Sequence, residues 1–103
     1  MGKHYVDVYN YSGKKAVVKN EDGVAVIDRG GKKKCTFKDG STYRVELFNS
    51  YGNVIRRKGT FKYIGLDNRD NIDIRKNEVM CLFGREPDRD LVQVGTIHKL
   101  PKP

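Results

Sequence analysis

Tryptophan is absent from this chain, proline occurs only three times, and cysteine and histidine occur twice each. No apolar run approaches the roughly 20 residues that a membrane-crossing helix needs, so no membrane span is expected. No helical periodicity persists either. The one candidate segment, after Pro87, contains Val92, Val94, Thr96 and Ile97, residue types that favour a strand. The N-terminal M-G-K-H-Y-V-D-V has no apolar leader core, and Val6 stands where a myristoylation signal needs Ser or Thr. A cytoplasmic location is therefore expected, with a secreted mature chain as the alternative.

The scarcity of His and Cys also limits the chemistry. Two cysteines without a nearby histidine cannot close a zinc site. Cys35 and Cys81 lie in the alternating runs C-T-F and C-L-F. Two readings stand for them: buried free thiols acting as small hydrophobes, or a disulfide between strands. Cys35 follows three lysines, which would favour the thiolate if it were exposed. Alternation places it inward with Phe37, however, and His4 and His98 lie near the two termini. Nothing brings either to the thiol, with or without Asp7 or Asp90 as an orienting group. Gly30-Gly31 lacks the lysine spacing of a phosphate loop. No catalytic residue, metal or cofactor is expected, and the protein is read as a non-enzyme. The loop Asp67-Asn68-Arg69-Asp70-Asn71, followed by Asp73, departs from EF-hand spacing. Turn-forming Asx chemistry explains it more simply than a Ca²⁺ site does.

What the chain does contain is short alternation punctuated by glycine. Residues 1–103 fit one domain, with 99–103 as a Pro-containing tail that cannot continue a sheet. Tyr43 to Tyr63 is the clearest stretch. Tyr43, Val45 and Leu47 alternate with Arg44 and Glu46, the period of a half-buried strand. A turn over Asn49, Ser50, Gly52 and Asn53 follows, then a second strand through Arg56-Arg57-Lys58 and a third beginning after Gly59. Upstream, Val6 and Val8 alternate with Tyr5, Asp7 and Tyr9. A hairpin from Val18 to Val24 turns at Asn20-Glu21-Asp22-Gly23, and Asp39-Gly40 is a further turn. Downstream, Ile72 to Ile74 and Leu91 to His98 are expected strands, and Glu78 to Phe83 reads as a central strand covered on both faces.

Turn-bounded strands about ten residues apart predict an all-β fold: a small two-sheet antiparallel β-sandwich, Ig-like or Greek-key, with a small OB-like β-barrel as alternative. The expected core is Val6, Val8, Val18, Val26, Cys35, Phe37, Tyr43, Val45, Leu47, Phe61, Tyr63, Ile72, Ile74, Val79, Cys81 and Phe83. Residues 6–13 and 45–52 share the pattern V-[DE]-[VL]-[YF]-N-x-x-G. Either a duplicated half or convergence of two similar strand-to-turn segments accounts for it.

The formal net charge is +8, and it is lopsided. Residues 1–62 hold 14 Lys/Arg against 6 Asp/Glu, whereas residues 63–103 hold 7 of each. An uneven basic surface attracts anionic partners. The candidate binding residues are Lys14, Lys15, Lys19, Arg29, Lys32, Lys33, Lys34, Arg56, Arg57, Lys58 and Lys62, with Tyr9, Tyr11 and Tyr51 as exposed rings. Cations interleaved with aromatic rings bind single strands by phosphate contact and base stacking. The expected function is a basic binding module that engages nucleic acid or an acidic protein surface. The alternative is a structural, adhesin-, capsid- or inhibitor-like module that associates, or oligomerises, through an edge strand or loop.

Overall fold

The computed structural model describes residues 3–49, 53–64, 71–84 and 87–101. Among these residues nine strands make up the regular structure: β1 Lys3–Asn10, β2 Lys15–Asn20, β3 Gly23–Ile27, β4 Lys32–Lys38, β5 Thr42–Phe48, β6 Ile55–Lys62, β7 Asn71–Ile74, β8 Glu78–Phe83 and β9 Asp90–Lys99. There is no helix among the described residues. All nine strands belong to one sheet, in the order β3-β2-β5-β6-β9-β8-β7-β1-β4. The sheet curls until its two end strands, β3 and β4, meet across a seam, so it is nearly closed into a barrel. The overall shape is flattened, 42 × 29 × 20 Å.

The ladders are antiparallel except one. β1 and β7 run parallel, with Val8 opposite Ile72. The expectation of a purely antiparallel arrangement is thereby corrected. β9 occupies the place beside β6, so β7 cannot continue the β5–β6 meander and pairs instead with the far strand β1.

Every strand contributes to one continuous core. The buried side chains are Val6, Val8, Ala16, Val18, Ile27, Cys35, Phe37, Tyr43, Val45, Leu47, Phe61, Tyr63, Ile72, Ile74, Val79, Cys81 and Ile97. Each large one contributes about 1.5–3 kcal/mol by leaving water. Around Phe37 the aromatic rings interlock: Tyr43 at 4.7 Å and Phe61 at 5.7 Å edge-on, and Tyr63 at 5.3 Å.

Several expectations need correction. Val26 is 47 % exposed, and Ile27 takes the inward position instead. The β2–β3 turn pairs Asn20 with Gly23 and leaves Glu21-Asp22 as the loop, which sets Val18 opposite Ala25. A one-residue difference in register sends the whole strand to the other face. Phe83 is only partly buried, against the edge of the core. β8 is not covered on both faces: Val79 and Cys81 are buried, whereas Met80 and Leu82 are half-exposed. Of the two readings of the cysteines, the buried thiols hold, and no disulfide joins Cys35 to Cys81. The β-strand after Gly59 does not exist separately, because β6 runs unbroken from Ile55 to Lys62. The copies of the internal echo have different neighbours: β4 and β7 flank β1, whereas β2 and β6 flank β5. The strand pairing therefore gives no support to a duplicated half.

Gly59 misled as a breaker because it is a contact residue. It faces Ile97 in the β6–β9 ladder, and a Cβ there would overlap the carbonyl oxygen of Thr96. Gly95 is its counterpart on β9: a Cβ would overlap the Thr60 carbonyl oxygen and the Phe61 side chain. A register shift in the β8–β9 ladder falls at the same place, between Val79 and Met80. Paired glycines beside a bulge mark the sharp bend that lets a sheet curl. Gly59→Ala should therefore lower unfolding stability by at least about 2 kcal/mol in a urea titration, whereas Gly23→Ala, whose Cβ would meet nothing within 4 Å, should cost less than about 1 kcal/mol.

At the turn end of the seam, a buried amide ties several segments together. Asn10, fully buried at the end of β1, donates from Nδ2 to the carbonyls of Lys14 (2.7 Å), Ile27 (3.0 Å) and Asp28 (3.1 Å). Its Oδ1 accepts from the backbone N–H of Ser12 (3.1 Å) and from Ser12 Oγ (2.6 Å). Its backbone N–H donates to Gly31 O (2.9 Å). Asn10→Ala would strand buried acceptors and should cost about 3 kcal/mol or more by thermal or urea unfolding. Asn10→Asp, which removes the donors and sets a carboxylate against three carbonyls, should be at least as damaging.

Candidate anion-binding surface and the β3–β4 seam

The register of the ladders shows where each candidate cation sits. On the outer wall one row reads Val24, Lys19, Arg44, Thr60 and Thr96, strand by strand from β3 to β9. The next row reads Val26, Val17, Glu46, Lys58 and His98. Glu46 is therefore a carboxylate embedded in a cationic wall. It is 6 % exposed, and Lys19 Nζ lies 2.6 Å from its Oε1.

Lys15 Nζ donates to Asn53 Oδ1 (2.9 Å) and lies 5.0 Å from the Phe48 ring centre. Arg57 is half-buried and donates to Asn77 Oδ1 (2.9 Å). Lys14 is half-buried in the β1–β2 connection, and Arg56, Lys58 and Lys62 are exposed on β6. The second group lies across the seam. Arg29 is exposed in the β3–β4 turn, and Lys32, Lys33 and Lys34 are exposed on β4. Tyr9 and Tyr11 stack at 5.9 Å with planes 8° apart, and Lys32 Nζ stands 5.7 Å from the Tyr9 ring centre.

The strand order thus splits the predicted residues into two groups, one on β2 and β6 and one on β1 and β4. β3, with its exposed Val24 and Val26, lies between them. Tyr51 and the candidate Ca²⁺ residues Asp67 and Asp70 lie outside the described residues. Asp73 is buried, 3.5 Å from Arg75 Nη2. Among the described residues no cluster of His, Cys, Asp or Glu is arranged to hold a metal ion, and no helix is long and apolar enough to cross a membrane.

Sequence reasoning passed over Arg44, Lys3 and Lys38. Arg44 stands between Lys19 and Thr60 on the outer wall. Lys3 and Lys38 face each other across β1–β4 at the open end of the seam. The alternation around Tyr43 already sent Arg44 outward. Only the strand pairing places it beside the other cations.

The seam is closed at its turn end, where Gly31 N donates to Asp28 O (2.9 Å), and open at the other. There, a cavity of about 230 Å³ is lined by Val24 and Ala25 of β3, Cys35 and Phe37 of β4, and Val18 and Tyr43 behind them. Cys35 Sγ donates to Lys33 O (3.7 Å). Burial pushes the Cys35 thiol above its ordinary value, Lys33 opposes this, and Asp7 adds to it. His4 is committed elsewhere, with Nε2 2.8 Å from Asp39 Oδ2.

Comparison of the chain with protein-family models, with curated proteins and with solved structures returns no match.

The raised thiol has a measurable consequence. Alkylation of Cys35 at pH 8 should be slower than that of a free cysteine peptide, and its rate should keep rising above the pH where the peptide levels off. The folded-state value lies above the unfolded one, so this group's contribution to stability is complete below the unfolded thiol's pKa. It declines as pH rises through the folded value. Iodoacetamide rates between pH 7 and 10, with Cys81→Ser as background, measure the first effect.

Proposed function

We propose that this protein is a non-enzymatic binding module that engages an anionic partner, nucleic acid or acidic protein, through the outer surface of β1 to β6. The observation that carries the reading is the shortage of counter-charges on that surface. Among the described residues, Lys32, Lys33, Lys34, Arg56, Lys58 and Lys62 are exposed and make no ion pair. Unpaired cations on rigid strands add their fields over a wide arc, and a polyanion that covers several of them releases its counterions. The stacked Tyr9–Tyr11 pair beside Lys32 offers a flat ring surface of the kind that accepts a base or a planar side chain.

The finer choice of architecture bears on this reading. We treat the sheet as a flattened barrel with one seam instead of a sandwich with two open sides. The basic strands β6, β5 and β2 and the basic strands β4 and β1 then share one wall, with the cation-free β3 between the two groups. A second reading, association through an edge strand, is favoured by a separate observation: β3 and β4 each pair on one side only.

The test is binding of fluorescent single-stranded and duplex oligonucleotides and of polyglutamate between 20 and 300 mM salt. Affinity for at least one of them should fall steeply, by tenfold or more across that range. The double substitution Arg44→Glu, Lys58→Glu should weaken it by about a further tenfold. Absence of binding to all three in the wild-type protein at the lowest salt would remove the anion-binding reading.

A further inference from the structure

The two free strand edges, the cavity between them and the lysines around it form one site. We propose that the open end of the β3–β4 seam takes an extended acidic peptide, which adds as a strand to β4 and inserts an apolar side chain into the cavity. The inference rests on the anionic-partner reading and names the partner's chemistry.

Three observations converge. First, β4 offers a seven-residue strand, Lys32–Lys38, paired only to β1, and β3 offers five residues, paired only to β2. Apart from Lys38, whose N–H donates to Tyr43 Oη (2.8 Å) and whose carbonyl accepts from Ser41 N–H (3.1 Å), the outer backbone groups of β4 lack a ladder partner among the described residues, as do those of β3, which is the template for strand addition. Second, the cavity of about 230 Å³ is walled by Phe37, Tyr43, Val18, Ala25 and Cys35. That is larger than an engineered apolar cavity of about 150 Å³ known to admit benzene, so a leucine or phenylalanine side chain fits. Third, charge selects the occupant. Lys34 and Lys38 lie on the outward register of β4, and Lys3 adjoins Lys38. None of the three makes an ion pair among the described residues, and they outnumber the two carboxylates nearby, Asp22 in the cavity lining and Asp7 opposite Lys34.

Side chains on a strand alternate between faces. A strand laid along β4 would therefore turn one residue inward beside Cys35 and Phe37, and its two neighbours outward beside Lys34, Thr36 and Lys38. The motif this geometry reads is acidic–apolar–acidic in extended form. A second copy of this chain is a poor occupant. Pairing two β4 edges would bring Lys32, Lys33, Lys34 and Lys38 of each chain together, and like charges across a ladder are destabilising. The same lysines that guard the edge against self-association recruit a strand of opposite charge.

The probe is a capped heptapeptide alternating glutamate and leucine, compared with a peptide of the same composition whose leucines are grouped at one end. The alternating peptide should bind the wild-type protein at least tenfold more tightly and should slow alkylation of Cys35. N-methylation of one alternate set of its backbone amides should weaken binding at least tenfold, while methylation of the other set changes it less than twofold. Lys34→Glu with Lys38→Glu should weaken binding at least tenfold. The peptide comparison does not depend on any variant folding. Equal affinity for the two peptides, with Cys35 alkylation unchanged, would overturn the seam site and leave the anionic reading standing. Binding of oligonucleotides but of neither peptide would overturn it in favour of nucleic acid. Binding of no anion at all would remove both.

Discussion

The side chain of Asn10 holds together parts of the sheet that no ladder joins. β1 belongs to the β4-β1-β7 end of the strand order and Ile27 to the β3-β2-β5 end, so the ladders alone connect them only the long way round through β9. Asn10 bridges the short way, with its amide hydrogens on the carbonyls of Ile27, Asp28 and Lys14. A leucine would satisfy the core but leave those acceptors dry and unpaired, which is why a polar residue is fully buried here. Asn49, the corresponding residue of the sequence echo, is only half-buried, and its Oδ1 has no partner among the described residues. The shared pattern therefore conceals two different jobs.

Closure at that end and curvature at the far side are two halves of one requirement. A sheet that curls must shorten its inner face somewhere. Here the cost is met at β6–β9, where Gly59 and Gly95 remove the Cβ atoms that would keep the two backbones apart. The bulge at Val79/Met80 adds local twist beside them. Curling also determines the electrostatics. Inward positions are taken by apolar side chains, so nearly all the charge of β1 to β6 is forced onto the outer wall. Glu46 offsets part of it from within, held by Lys19.

Much of the fold was legible because alternation is a local property. Val6, Val8, Val45, Leu47 and most of the expected core are inward as their spacing implies, and the turns at Glu21-Asp22 and Asp39-Gly40 fall within the stretches where polar residues and glycine allow them. What escaped was non-local. The parallel β1–β7 pair depends on which strand first occupies the place beside β6. Gly59 reads as a breaker until its neighbour across the ladder is known. The cations were found by composition, but their division between two sides of β3 follows from strand order, which alternation does not encode. Arg44 was visible as an outward residue and became part of the basic wall only through its register with Lys19.

The misread strand and the cavity have the same origin. Had β3 turned Val24 and Val26 inward, their branched side chains would have filled the space opposite Phe37 and Tyr43. The Asn20–Gly23 pairing instead turns Ala25 inward, opposite Val18, and a single methyl cannot reach across to β4. Val26 stands outside the seam, and Val24, also exposed, borders the cavity without filling it. An interior left short of volume loses dispersion contacts that any fitting group would restore. A register shift of one residue in a five-residue strand thus leaves an apolar hole beside an unpaired edge, and the lysines along that edge decide which chemistry can approach it.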